Sequence, residues 1–223
     1  MKQPRWKRWL SHLTELHIES APSPHNPHLY VSLRKGRYQL STAHAIYSHE
    51  DLYDNFSGAF EQLQLDRLPG KEVLLLGFGL GSIPIILEKM GHQFQYTAVE
   101  IDESVIYLAS KYALPQISSP VQLICADAEV FVAQCARQFD LIAVDVFLDD
   151  LIPAPFEANG FLEQLRDLLS PGGLLLYNRL AYTPQDVDSA RNFYQQSFVS
   201  VFPEGRYLDI RGNWVLLNDG RYQ

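Results

Sequence analysis

A chain of 223 residues, 47% hydrophobic and 20% charged, is long enough to bury a full core and has the composition of a soluble globular protein. Its formal net charge of −8 argues against DNA or RNA as a partner and allows a neutral or cationic small molecule. No apolar run reaches the length that spans a bilayer, so no membrane partner is expected.

The N-terminus sets Lys2, Arg5, Lys7 and Arg8 among Trp6, Trp9, Leu10 and Leu13, which predicts a short amphipathic helix. No small-residue cleavage site follows it, so it does not read as a secretory signal. Four charges are too few to hold nucleic acid or a membrane surface. Docking on its own domain or on the partner in a homodimer is the expectation. The Pro-rich stretch from Ala21 to Pro27 comes next. Leu29–Leu33 and Arg37–Thr42 then alternate around Lys35-Gly36, which predicts a hairpin in a region of two or three antiparallel strands. A helix is predicted from about Asp51 to Leu65, closed by Pro69-Gly70. Residues 1–70 thus read as a helix and small β-region with a linking helix, and 71–223 as an α/β domain.

From Glu72 strands and helices alternate. Val73–Gly77 is wholly apolar, as a parallel strand covered on both faces should be. A helix over Gly81–Met90, a strand over Gln95–Glu100 and a helix capped by Asp102 and running to Tyr112 follow. Val121–Cys125 is the third strand, Val130–Arg137 a helix and Leu141–Asp145 the fourth strand. Pro155–Leu169 is a helix ended by Ser170-Pro171-Gly172-Gly173. Leu174–Asn178 is the fifth strand and Asp186–Ser200 a helix. Arg206–Ile210 and Trp214–Leu217 read as a closing antiparallel pair. The pattern predicts a doubly wound, mostly parallel seven-stranded α/β sheet with right-handed crossovers. Cys125 and Cys135 form neither a metal pair nor a disulfide framework; they read as buried thiols, and the protein as cytoplasmic. His25, His28, His44 and His49 share no metal-ligand spacing, so no metal site is expected.

Open α/β sheets bind ligands beyond the carboxyl ends of their strands. The first such end reads Gly77-Phe78-Gly79-Leu80-Gly81-Ser82, where glycines permit a tight turn and free N–H groups open the next helix. A dinucleotide fingerprint would want glycine at Ser82, so the spacing favours a nucleoside without pyrophosphate. Tight strand–helix turns also use glycine for packing alone. Glu100 ends the second strand 19 residues past Gly81, where an acid can take both hydroxyls of a ribose. Asp127-Ala128 ends the third strand and Asp145 the fourth. Acids at successive strand tips beside a glycine loop form an ordered set.

On these residues the chain resembles class I S-adenosylmethionine-dependent transferases of Rossmann-like methyltransferase fold, and within them the spermidine synthase-like branch. The likeness covers about residues 29–178 and rests on Leu74–Gly81, on Glu100–Ile106 with Lys111-Tyr112, on Asp127-Ala128 and on the Gly36–Leu40 segment. It implies S-adenosylmethionine, or its decarboxylated form, as cofactor. Glu100 would hold the ribose with Ile101 beside it, Asp127 with Ala128 would hold the adenine amino group, and Gly77, Phe78, Gly79 and Gly81 would pack on the amino-acid part. The pattern departs where chemistry would occur. Spermidine synthases carry Asp-Ser-Ser/Thr-Asp-Pro after the fourth strand; this chain has Asp145-Val146-Phe147-Leu148-Asp149-Asp150-Leu151-Ile152-Pro153. The acidic pair and Tyr expected after Gln39-Leu40 are replaced by Ser41–Ser48.

Asp145 is the candidate base, since displacement at a carbon on sulfonium needs the acceptor aligned and, for an amine, deprotonated. Tyr47, Asp149, Asp150 and Asn178 are candidate substrate contacts, with loop acids and strand ends as the plainer reading of the last three. Tyr53 could close the pocket with Tyr47, but its helical spacing from Phe56 and Phe60 favours the core, and Arg179 reads as a substrate contact or the partner of a surface acid. Methyl transfer to a small-molecule acceptor is the first expectation. Aminopropyl transfer to an amine is the alternative, and a non-catalytic cofactor-binding protein the third.

Overall fold

The structure, a computed structural model, describes residues 3–26, 28–43 and 45–223. Lys2, Pro27 and His44 lie outside the described residues. A six-residue helix, α1 (Arg5–Leu10), leads into a four-stranded antiparallel sheet of β1 (Leu16–Ser20), β2 (Tyr30–Arg34), β3 (Arg37–Ser41) and β4 (Ile46–Ser48). Lys35 and Gly36 turn β2 into β3 with φ of +49° and +74°, the two left-handed residues that a twisted hairpin requires. The sheet has four strands where the sequence led to two or three, because β1 and β4 are short and only partly buried.

The predicted helix over 51–65 is shorter. Only α2 (Asp54–Phe60) is α-helical, between 3-10 turns at Glu50–Leu52 and Leu65–Arg67. Glu50 at φ +43° and Tyr53 at ψ 88° break the helix before Asp54. The second sheet follows: β5 (Glu72–Leu76), α3 (Ser82–Lys89), β6 (Gln95–Glu100), α4 (Glu103–Tyr112), β7 (Val121–Cys125), α5 (Ala128–Gln134), β8 (Phe139–Val144), α6 (Asn159–Leu168), β9 (Leu169–Leu180), α7 (Pro184–Phe193), β10 (Arg206–Ile210) and β11 (Asn213–Leu217). Its order is β10-β11-β9-β8-β5-β6-β7. The strands from β7 to β9 are parallel, and β11 and β10 close it antiparallel. This is the doubly wound Rossmann-like fold expected.

Alternation along the buried strands divides the core. Val73 and Leu75 face the α2, α3, α4 and N-terminal-sheet side, whereas Leu74 and Leu76 face α6 and α7. Leu29, Val31, Leu33 and Leu40 join the first of these clusters, so residues on either side of position 70 share one core. Burying each such side chain stabilises by roughly 1.5–3 kcal/mol.

Several boundaries moved for local reasons. Asp127 caps α5, which therefore begins at Ala128 and ends before Cys135. Ser170–Gly173 stops α6 but belongs to β9, with a bulge opposite Phe139–Leu141 and Gly172 at φ +82°. A capping box of Thr183 and Asp186 starts the next helix two residues early. It relaxes into a π turn over Tyr194–Phe198 and resumes at Val199–Val201. The thiols are not buried as expected: Cys125 is exposed and Cys135 half-buried, because β7 is an edge strand and Cys135 lies past the end of α5. The helix α1 touches its own domain at the β2–β3 hairpin, where Arg8 donates to the Gly36 carbonyl at 3.3 Å and the buried Ser11 hydroxyl accepts from the Gly36 N–H at 2.8 Å, yet it buries none of its own residues and leaves Trp6 and Trp9 exposed. No described helix is long and apolar enough to cross a membrane.

Candidate active site

Strand order reverses between β6 and β8 on either side of β5, which opens a crevice at the carboxyl ends of β5 and β8. A cavity of about 590 Å³ lies there. The second sheet contributes Gly77, Gly79, Glu100, Ile101, Asp127, Ala128, Asp145 and Asn178; the N-terminal region contributes Asn26, Gln39, Tyr47, His49 and Tyr53.

The glycines serve packing before they serve a ligand. A Cβ on Gly77 (φ +86°) would overlap the Asp145 backbone carbonyl, and one on Gly79 (φ +53°) would come within 3.1 Å of Ser48 Cβ. One on Gly81 (φ +65°) would lie 2.8 Å from Ile117. The loop is thus pressed against β8 and β4, which brings both walls of the cavity together. Phe78 turns its ring into the core, and neither it nor Gly81 lines the cavity. The Phe78 contribution is its backbone N–H.

That N–H and the one of Gly79 donate to Glu100 Oε2 at 3.2 and 3.4 Å, while the Asp102 N–H donates to Oε1 at 3.1 Å. Burial pushes the Glu100 carboxyl above its ordinary range, against these bonds. Asp102 is wholly buried and caps α4 through the Ser104 N–H at 2.9 Å. It also accepts from Ser23 and Asn26, which pins the Pro-rich segment over the second strand tip. Asp127 caps α5, and both N–H bonds, from Glu129 and Val130, fall on Oδ1, so Oδ2 keeps acceptor capacity.

Asp145 is held from two sides. The Tyr53 hydroxyl donates to Oδ2 at 3.0 Å and Asn178 Nδ2 donates to Oδ1 at 2.8 Å. Burial nevertheless pushes its carboxyl up to about 6, with the charge of Glu100 adding to the rise. Tyr53 stacks on Phe56 as its spacing implied, yet its hydroxyl reaches the cavity. Tyr47 ties three segments together: its hydroxyl donates to Asn26 Oδ1 at 2.7 Å, accepts from the Asp149 N–H at 2.6 Å and lies 3.4 Å from the Phe147 carbonyl. Asp149, at φ +56°, lines the cavity, but its Oδ1 accepts from the Thr42 hydroxyl at 2.5 Å. Asp150 is exposed and does not line the cavity. Arg179 turns to the other face, where it pairs with Glu157 and sits over Phe193.

Sequence reasoning favoured the core for Tyr53 over the pocket, and it missed Asn26 and Gln39 as site residues. Gln39 is buried between Tyr38 and Leu40 on β3, and its Oε1 has no hydrogen-bond partner among the described residues although the residue lines the cavity. A buried acceptor left unpaired costs about 1–3 kcal/mol, which a ligand ammonium or hydroxyl would recover. A polar residue in the buried half of a strand was the available signal.

The model of the spermine/spermidine synthase domain matches residues 62–207. The chain belongs to that family. It is 30% identical over 155 residues to the polyamine aminopropyltransferase of Vibrio vulnificus, across 66% of this chain and 50% of that protein. It is 26% identical over 162 residues to the eEF1A lysine and N-terminal methyltransferase homolog of Drosophila melanogaster, across 69% of this chain and 24% of that one. The chain therefore spans half or less of the curated relatives it matches. Among solved structures, a spermidine synthase in complex with the transition-state analogue AdoDATO superposes with a TM-score of 0.69 at 19% identity, over 91% of this chain and 72% of that one. Human methyltransferase-like protein 13 in complex with SAH gives 0.61 at 22%, over 75% and 82%. The relatives are transferases of two reaction types on one fold.

Proposed function

We propose that this chain transfers a methyl group from S-adenosylmethionine to an amine, with Asp145 as the base. The carrying observation is the Asp145 carboxylate, held by Tyr53 and Asn178 at the crevice with an ionisation range reaching neutrality. Support for the cofactor comes from three groups in the cavity wall. Glu100 would accept the ribose hydroxyls, Asp127 Oδ2 the adenine amino group, and the unpaired Gln39 Oε1 the ammonium of the amino-acid part. When bound, the cofactor supplies an electrophilic carbon on a positively charged sulfur.

Asp145 takes a proton from the acceptor's ammonium and leaves a lone pair that forms the new nitrogen–carbon bond as the carbon–sulfur bond breaks. Positioning and proton removal are what remains for the protein to provide. The stretch after Asp145 adds apolar surface, Val146, Phe147 and Leu148, and the Asp149 carboxylate in it is engaged by Thr42. That wall suits one amine on an apolar body better than an extended polycation, and so favours methyl transfer.

Aminopropyl transfer from decarboxylated S-adenosylmethionine is the second reading, favoured by the matched family and by the Vibrio vulnificus relative. A screen of amines with methyl-labelled cofactor, beside diamines with the decarboxylated cofactor, separates the two. Label entering monoamines supports methyl transfer; product with diamines and the decarboxylated cofactor alone overturns it.

A further inference from the structure

Tyr53 stands between the 3-10 turn at Glu50–Leu52 and α2, with a non-helical backbone (φ −80°, ψ 88°). Its ring stacks on Phe56, whose own ring is fully buried, at 6.2 Å between centroids, so the phenol has a fixed base. From there the hydroxyl reaches Asp145 Oδ2 across 92 residues of sequence. We propose that Tyr53, through this hydrogen bond, orients the Asp145 carboxylate and holds it in its proton-accepting form, acting as a positioning residue for proton removal from the acceptor. The proposal rests on the reading of Asp145 as the base.

The groups that face Asp145 make the bond consequential. They are Tyr53 from the segment before α2, Asn178 from β9 and the carboxylate of Glu100 from β6. Among the described residues no cation acts on its ionisation. There the two hydrogen bonds favour the carboxylate against burial and against the Glu100 charge. Tyr53 is itself a dependable donor, because burial and the charge of Asp145 hold its phenol well above its ordinary range. It therefore keeps its proton throughout the range in which Asp145 titrates. Asn178 is a poorer probe, since it is almost wholly buried and its Oδ1 has no partner among the described residues. Tyr53→Phe removes only the hydroxyl.

The test uses the full chain labelled with ¹³C at aspartate carboxyls, the Asp145 signal being the one lost in Asp145→Asn. The wild-type signal should titrate near pH 6, and in Tyr53→Phe the midpoint should rise by about one unit. With an amine acceptor from the labelled screen, kcat/KM of Tyr53→Phe at pH 6 should fall about fivefold and recover to within about twofold at pH 8.5. An unmoved carboxyl midpoint overturns the proposal. A loss of activity equal at every pH also overturns it, because lost packing acts that way. A midpoint that moves while turnover survives Asp145→Asn places the failure in the reading of Asp145 as base, and removes the purpose assigned to Tyr53.

Discussion

Gly77 and Asp145 meet backbone to backbone at the reversal of strand order: the Asp145 N–H donates to the Leu76 carbonyl at 2.8 Å, and no Cβ fits between Gly77 and the Asp145 carbonyl. The glycine loop and the candidate base are therefore one structural unit, and displacing either moves both.

Gly77→Ala should disturb that unit. Its φ of +86° disfavours any side chain, and the obstruction is backbone rather than a flexible tip. A loss on the order of 3 kcal/mol is expected, which for a chain of this length lowers Tm by about 6–12 °C. Thermal unfolding followed by circular dichroism checks this; a Tm within about 2 °C of wild type would show that the loop relaxes freely.

Replacing Glu100 with Gln removes a charge that accepts from three backbone N–H groups and would accept the ribose hydroxyls. One side of the amide must now face a donor with a donor. Charge-assisted bonds contribute roughly 1.5–3 kcal/mol, so S-adenosylmethionine affinity should fall about tenfold or more, with some loss of stability. An unchanged Kd with the fold intact would remove Glu100 from the ribose site.

Much of this could be read from the sequence, because parallel strands buried on both faces announce themselves. Val73–Leu76 and Leu141–Val144 are unbroken apolar runs, and Asp102 and Asp127 sit where helix caps must. The N-terminal sheet was half visible, since three-residue β4 shows no period and β1 is only partly buried. Tyr53 was assigned to the core from helical spacing, which locates the ring and is blind to where its hydroxyl ends. Asn26 and Tyr47 reach the site through contacts 76 to 102 residues away in sequence, and no local pattern encodes those.

Asp145→Asn should make the protein more stable at pH 8 while impairing it. A carboxyl whose folded pKa of about 6 exceeds its ordinary value favours the folded state fully below that ordinary value, and this advantage is lost as pH rises through 6. At pH 8 the charged Asp145 therefore costs on the order of 2–3 kcal/mol, which the amide relieves. Urea unfolding should show the variant ahead of wild type at pH 8 and level with it near pH 4. A variant equally or less stable at pH 8 would mean that burial does not penalise this carboxylate.

Turnover carries the matching signature. Proton removal needs ionised Asp145, so the rate should climb as pH passes about 6 and level above it. Asp145→Asn should lower turnover by ~10²-fold while S-adenosylmethionine affinity stays within a few-fold of wild type. Asp149→Asn should do less, its carboxylate being engaged by Thr42 away from the base. Rates independent of pH from 5 to 8 would exclude Asp145 as the base.

The central claim is that the crevice between β5 and β8 holds an adenosyl sulfonium compound, and calorimetry tests it most directly. S-adenosylmethionine, its demethylated product, the decarboxylated form and NAD should be titrated in turn into the purified chain. Saturable binding of the adenosyl compounds, weakened about tenfold or more by Glu100→Gln, with no NAD response, is the expected result. Saturable NAD binding with no response to the adenosyl compounds would contradict it.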